Sequence, residues 1–196
     1  SCILEKNTVY KAYKELEKFD CVKEFFKKNI VKIDKNIPEF AGLGGGSSNC
    51  ATFLNMVNQA CNLNLSKEEL SKIGSNIGAD VPFFVYEFDS ANVSGIGEIV
   101  EEFNEESLNI EVITPKIPCD TTKIYKNFRE KFYKELNKDE VKELFVTNSK
   151  DILKKFSINE ANDLYFSALD LNGDLKKFEK DNWFFSGSGS SFFKIL

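Results

Sequence analysis

The segment that most constrains the fold of this 196-residue chain is glycine-rich, and residues 42–48 read GLGGGSS. Apolar residues follow at helical spacing from Ala51 to Val57, which predicts a loop and then a helix that starts near Ser47. Consecutive glycines can turn several backbone N–H groups toward one anion. The N-terminus of a helix adds unpaired N–H groups and the positive end of its dipole. We therefore predict a phosphate-binding site at residues 42–48.

Two other structures are compatible with a glycine-rich segment followed by serines. A P-loop requires a lysine directly before its Ser or Thr, whereas Gly46 precedes Ser47, so the segment is not a P-loop. A flexible turn followed by an ordinary serine N-cap is the structural alternative. Four glycines ahead of two hydroxyl residues favour the anion site over this turn.

Composition excludes several classes of function. A net charge of −5 argues against a nucleic-acid partner, which would need a basic face. Neither a long apolar run nor a signal pattern occurs, which predicts a cytoplasmic protein with no membrane partner. The five cysteines form no CxxC pair, which predicts reduced, mostly buried thiols. Histidine is absent, so a Ser-His-Asp or Cys-His site and a His-ligated metal are excluded within this chain.

Periodicity and capping residues predict most of the secondary structure. Asn7 is expected to cap a helix that continues to Phe26, and a Ser66/Glu69 capping box starts another helix. Alternation predicts a strand at 30–34 and a strand or hairpin at 91–100. The later predictions are a strand at 109–115, a helix capped by Thr121, short helices at 141–145 and 152–156, a helix that includes 162–164, and a strand, turn and strand or helix at 183–195.

Three separated motifs together resemble the GHMP kinases, which phosphorylate small molecules. They are residues 38–48, residues 78–84 (GADVPFF) and residues 186–189 (SGSG), and weaker matches occur at 7–12, 115–125 and 162–164. The resemblance implies an α+β fold with an N-terminal domain like ribosomal protein S5 domain 2 and a ferredoxin-like C-terminal domain. We place the boundary in an acidic, turn-rich stretch, which gives domains 1–105 and 106–196.

The resemblance implies an ATP-dependent kinase that uses Mg²⁺. Residues 78–84 and 95–98 narrow it to the branch that phosphorylates the 2-hydroxyl of 4-diphosphocytidyl-2-C-methyl-D-erythritol in isoprenoid precursor synthesis. A homoserine- or mevalonate-type kinase and a non-catalytic nucleotide-binding module are the alternatives. The sequence leaves open whether the protein is a monomer or a homodimer.

The resemblance also assigns roles to individual residues. Asp80 is the expected catalytic base, whereas sequence physics alone favours an aspartate at a turn or helix terminus. The SGSG segment is expected near the substrate and the phosphates, with an ordinary loop as its alternative. Gly95 and Gly97 are expected to let the backbone approach neighbouring groups closely, rather than to take part in chemistry. The residues expected to bind ATP are Pro38, Ala41, Gly42, Leu43, Gly44, Gly45, Gly46, Ser47 and Ser48, those expected near the substrate and phosphate are Ser186, Gly187, Ser188 and Gly189, and the magnesium ligands are left open.

The chain departs from the family pattern in three places. Asn49 stands where an aspartate is usual, and Ser190-Ser191 stands where a Pro-Thr or similar pair is common. The opening segment of the family, with its lysine and a cytosine-stacking histidine, does not occur in these residues. We therefore expect the chain to start inside the first domain.

Overall fold

The computed structural model describes residues 3–196, which group into two compact units. The first unit contains the residues up to Asn36 together with Gly44–Asn104, and the second contains Ile37–Leu43 together with Glu105–Leu196. The domain bounds predicted from the sequence, 1–105 and 106–196, remain a prediction. The chain passes from the second unit to the first between Leu43 and Gly44, inside the glycine-rich segment.

The first unit is built from five helices and a hairpin. A 3₁₀ turn at Leu4–Lys6 precedes the helices, and β1 pairs with β2 in antiparallel orientation, with Val93 opposite Val100. The elements are α1 (Thr8–Leu16), α2 (Asp20–Phe26), α3 (Gly45–Ala60), α4 (Lys67–Ser75), α5 (Val81–Tyr86), β1 (Ala91–Ser94) and β2 (Ile99–Glu102).

Apolar side chains from all five helices form the core of the first unit. Leu16, Val22, Leu54 and Val81 are completely buried there. Burying a side chain of this size stabilises a fold by about 1.5–3 kcal/mol. The core thus packs α3 and α5 together within the first unit.

Two helix starts in this unit confirm predictions made from local sequence. The Asn7 side chain accepts hydrogen bonds from the backbone N–H groups of Val9 and Tyr10, at 2.9 and 3.3 Å. Ser66 and Glu69 form the predicted capping box at the start of α4. The single helix expected from Asn7 to Phe26 is instead divided into α1 and α2 by residues 17–19.

The strand predicted at residues 30–34 is wrong. These residues are irregular, and every side chain from Asn29 to Phe40 is exposed, with Ile30 93% exposed. An alternating apolar pattern forms a strand only where a partner strand and a buried face are present. Within residues 3–196, no strand pairs with this segment.

The second unit combines a three-stranded antiparallel sheet with helices. The strand order is β3-β5-β4, with Val112 opposite Phe193 and Phe185 opposite Phe192. The elements are β3 (Ile110–Ile113), α6 (Thr121–Asn127) with a π-helical turn (Phe128–Phe132), α7 (Lys138–Val146), α8 (Ser149–Lys155), α9 (Ile158–Ala161), α10 (Leu164–Leu171), a 3₁₀ segment (Gly173–Phe178), β4 (Phe184–Phe185) and β5 (Phe192–Ile195).

The predicted strands of this unit are confirmed, and two helix starts are corrected. Asp120, not Thr121, caps α6, because its carboxylate accepts from Lys123 N at 3.1 Å. The helix expected to include residues 162–164 begins only at Leu164, since Asn162 adopts an extended conformation.

The cysteines differ in burial. Cys50 and Cys119 are fully buried, Cys61 is partly buried, and Cys21 is exposed; all four are free thiols. Cys2 lies outside the described residues. Within the described chain, no helix combines the length and apolar character that crossing a bilayer requires.

Candidate active site

The glycine-rich segment leads into α3 through a residue that has no side chain. Gly44 is the N-cap, with φ at +65°, and the first helical bond runs from Ser48 N to Gly44 O at 2.9 Å. The helix therefore starts at Gly45, two residues before the expected position. Among the described residues, no side chain caps this helix start. Backbone N–H groups at such a helix start are suited to bind a phosphate.

Neighbouring groups fix the start of α3. The Thr8 hydroxyl donates to Gly46 O at 2.8 Å. Gly44 packs so closely on the Phe84 ring that a Cβ atom there would lie 2.7 Å from Cζ. A Cβ on Gly78 would lie 4.0 Å from Ser47 Oγ. The predicted motifs at 44–48 and 78–84 therefore lie side by side within the first unit.

Asp80 lies at the N-cap position of α5, directly before Val81 and Pro82. An aspartate with a purely structural role there would accept a hydrogen bond from the first turn of the helix. The Asp80 side chain makes no such bond, and it is exposed. Its exposed carboxylate therefore does not serve as the cap of α5.

The β1–β2 turn packs against the peptide that precedes Asp80. Gly97 has φ at +117°, and a Cβ atom there would lie 2.2 Å from Ala79 O. Only glycine fits so close to that carbonyl, which confirms the expected close backbone approach at Gly97. The turn thereby helps to fix the backbone that carries Asp80.

The serine-glycine segment at 186–189 belongs to the turn that joins β4 and β5. Ser186 N donates to Ser191 O and Gly189 N donates to Ser186 O, both at 2.9 Å. The start of the glycine-rich segment lies against this turn, because Ser191 N donates to Ala41 O at 3.0 Å and the Ser186 hydroxyl donates to Gly42 O at 2.8 Å. Two predicted motifs thus meet within the second unit.

The space at this contact leaves no room for a side chain at position 42. The φ of Gly42 is +68°, and a Cβ atom there would lie 2.2 Å from Ser186 O and 2.7 Å from Gly189 N. Both the backbone conformation and the space therefore require glycine. Pro38 is exposed and Ala41 is buried, so the segment enters the turn region from the surface.

Asn162 also stabilises the β4–β5 turn through side-chain hydrogen bonds. Its Nδ2 donates to Phe185 O at 3.0 Å and to Gly187 O at 2.9 Å, while its Oδ1 accepts from Leu164 N at 2.9 Å. In the sequence, residues 162–164 are only a weak match to the family pattern, and that match predicts no role for Asn162. The one available signal was an Asn two residues before a helix, which is typical of an Asx turn.

The serines of the turn differ in their surroundings. Ser188 is buried and its hydroxyl bonds to that of Thr121 at 2.8 Å, and the Ser190 hydroxyl donates to Pro115 O at 2.8 Å. Gly187 is exposed. A ligand that reaches this turn would meet the backbone around Gly187 first. Among the residues described, no cluster of three or more His, Cys, Asp or Glu side chains could hold a metal ion.

The comparisons with known proteins first define a class. The family model described as the GHMP kinases N terminal domain matches residues 7–88. This range contains the start of α3, Phe84 and Asp80.

Relatives then define the branch of that class. A protein of Sulfurimonas denitrificans named 4-diphosphocytidyl-2-C-methyl-D-erythritol kinase is 52% identical over 201 residues, which cover 100% of this chain and 76% of that protein. A Helicobacter pylori protein of the same name is 38% identical, covering 99% of this chain and 74% of its own length. The chain belongs to the 4-diphosphocytidyl-2-C-methyl-D-erythritol kinase family of GHMP kinases.

A solved structure agrees with this assignment. The crystal structure of a 4-(cytidine 5'-diphospho)-2C-methyl-D-erythritol kinase matches with a TM-score of 0.68 and 25% identity, covering 97% of this chain and 69% of that one. The family and the α+β GHMP kinase fold inferred from the sequence are therefore confirmed. The roles of the individual site residues stay a prediction.

Proposed function

We propose that this protein transfers the γ-phosphate of ATP to the 2-hydroxyl of 4-diphosphocytidyl-2-C-methyl-D-erythritol, a step of the non-mevalonate route to isoprenoid precursors. The observation that carries the reaction class is the first turn of α3, which follows Gly44 and has no side-chain cap. The choice of acceptor rests on relatives that bear the name of this activity and align with the whole chain.

We assign the triphosphate of ATP to residues 42–48. Backbone N–H groups at the start of α3 would bind phosphate oxygens, and the helix dipole favours negative charge there. The Thr8 hydroxyl holds the Gly46 carbonyl, so this first turn is already ordered for binding. Rigid donors of this kind need no reorganisation when charge moves in the transition state.

We assign the magnesium site to the same region. Mg²⁺ in kinases is bound mainly by phosphate oxygens, water and one or two oxygen ligands of the protein. We propose the Ser47 hydroxyl, which lies in the first turn of α3 beside Gly78, as the side-chain oxygen for this role. When bound, the ion would neutralise part of the charge on the transferred phosphate.

We assign the catalytic base to Asp80. Asp80 comes two residues after Gly78, which lies beside Ser47, so an acceptor hydroxyl bound at the exposed Asp80 carboxylate would lie near the proposed phosphate site. General base catalysis contributes about 10²–10⁴-fold to a rate. We further propose, as the family resemblance implies, that the β4–β5 turn binds substrate or phosphate, with the Gly187 backbone as its most accessible part.

The test is ATP-dependent phosphorylation of the cytidyl substrate by the protein expressed from its complete reading frame. Phosphorylated product is quantified by mass spectrometry and ADP release by a coupled assay. Asp80→Asn should lower kcat by about 10²–10⁴-fold and leave ATP affinity, measured by calorimetry, nearly unchanged. Asp20→Asn is the matched control, because Asp20 is an exposed carboxylate in the first turn of α2 in the same unit.

Each alternative predicts a different result in this assay. Faster phosphorylation of homoserine or mevalonate would show that the acceptor is wrong but the reaction class is right. ATP binding without turnover of any acceptor would favour a nucleotide-binding module. Wild-type kcat in Asp80→Asn would remove Asp80 from the mechanism and leave the reaction itself in place.

A further inference from the structure

Two cysteines from different helices meet on the first unit, outside the candidate active site. Cys21 lies in the first turn of α2, and Cys61 is the residue that caps the C-terminus of α3. The Cys61 thiol donates a hydrogen bond to the backbone oxygen of Cys21, with Sγ and O 3.9 Å apart. The Cys61 thiol therefore lies against Cys21 where the two helices meet, and the Cys21 side chain is also its hydrogen-bond partner.

This pair differs from the other described cysteines in access. Cys21 is exposed and Cys61 is partly buried, whereas Cys50 and Cys119 are fully buried. Burial raises the pKa of Cys50 to about 12 and that of Cys119 to about 11, so both remain protonated near neutral pH. Because the thiolate is the reactive form, oxidation in the described chain would be confined to the Cys21 and Cys61 pair.

We propose that Cys21 and Cys61 form a reversible intramolecular disulfide when the protein meets hydrogen peroxide. The Cys21 thiolate attacks one peroxide oxygen, the O–O bond breaks, and a sulfenic acid and hydroxide form. The Cys61 thiolate then attacks the sulfenic sulfur, the S–S bond forms, and hydroxide leaves. Two thiols are oxidised, one peroxide is reduced to two water molecules, and a dithiol reverses the change.

The electrostatics of the pair favour this order of steps. Burial raises the pKa of the Cys61 thiol, and the nearby Cys21 thiolate raises it further by repulsion of like charges. Cys21 is the more exposed thiol, so peroxide reaches it first. Once Cys21 is a neutral sulfenic acid the repulsion ends, and Cys61 ionises more readily at the moment when it must attack.

The bridge has a structural consequence that can be measured. It would link residues 40 positions apart in sequence and join α2 to the end of α3. A cross-link of this span restricts the unfolded chain, and we expect oxidation to raise Tm by about 5–10 °C. The rigid end of α3 opposite the glycine-rich segment would then be covalently fixed.

The experiment treats the reduced protein with hydrogen peroxide, blocks the remaining thiols with N-ethylmaleimide, and maps peptides by mass spectrometry without reduction. We expect a linked peptide pair that contains Cys21 and Cys61, lighter by two hydrogen masses, which dithiothreitol separates. Cys61→Ser should lose both the linked pair and the rise in Tm. Cys2→Ser should keep both and serves as the control.

Two results would overturn the proposal. One is over-oxidation of Cys21 while Cys61 is recovered with its N-ethylmaleimide label. The other is a linked peptide that joins Cys21 to Cys2 or to a second molecule. Either result would mean that the two sulfurs do not reach bonding distance in the folded protein.

Discussion

Asn162 offers the sharpest test of how the β4–β5 turn is held. Its amide nitrogen donates to Phe185 O and Gly187 O, and its amide oxygen accepts from Leu164 N at the start of α10. Asn162→Asp keeps the shape and the acceptor, loses both donors, and places a carboxylate against two carbonyl oxygens. Asn162→Ala loses all three bonds.

The magnitude follows from these bonds. Each of the three hydrogen bonds contributes about 0.5–1.5 kcal/mol to the free energy of unfolding, so the alanine variant should lose about 1.5–4.5 kcal/mol. In a protein of this size, 1 kcal/mol corresponds to about 2–4 °C, which gives a fall in Tm of about 3–18 °C. If the turn contacts the substrate or phosphates, a displacement of about 1 Å could lower kcat/KM by up to 10²-fold.

The assay compares kcat/KM and Tm for both variants at a temperature where each remains folded. Ser66→Ala is the control, because it removes a capping box from α4 without touching the turn. We expect Asn162→Asp to lower kcat/KM about 10–100-fold and Ser66→Ala to leave it unchanged. Wild-type kcat/KM in Asn162→Asp, together with a lowered Tm, would refute the idea that this turn works at the active site.

Three further outcomes test the structure. Gly42→Ala should lower Tm by several degrees, since its Cβ would overlap a carbonyl of the β4–β5 turn, whereas Gly173→Ala, with nothing within 4 Å, should not. Ser66→Ala should cost about 1 kcal/mol in chemical denaturation, from the lost cap. Lys176 and the Tyr165 hydroxyl hold the pKa of Glu179 below its ordinary value of 4.5, so its stabilising effect is complete above pH 4.5 and is lost as pH falls through the lower, folded-state pKa. Glu179→Gln should therefore flatten the fall of Tm in acid.

Local sequence predicted those elements whose stability is local. The Asn7 cap and the Ser66/Glu69 box were found because donor and acceptor lie within three residues of each other. At α6 two capping residues compete, and Asp120 takes the position expected for Thr121 because its carboxylate reaches Lys123 N. Such errors of one residue are inherent where adjacent residues can both cap.

The prediction of a strand at residues 30–34 is wrong for a different reason. The apolar and polar residues at 30–34 give a side-chain pattern typical of a strand, but a strand also needs a neighbouring strand to satisfy its backbone hydrogen bonds. All of these side chains are exposed, so no burial offsets the entropy of ordering the segment. A single sequence shows the side-chain pattern of a strand but does not show whether a partner strand lies beside it.

The contrast between local signals and distant partners also explains which parts of the candidate site could be predicted from the sequence. The groups that would bind phosphate are contiguous backbone atoms at the start of α3, and a run of glycines before a helix predicts them directly. The groups that hold them act over long separations: the Thr8 hydroxyl reaches Gly46 across 38 residues, and the Ser186 hydroxyl reaches Gly42 across 144. No periodicity encodes such contacts. The candidate phosphate site is thus predicted by one short motif, whereas its geometry also depends on hydrogen bonds from side chains 38 and 144 residues away.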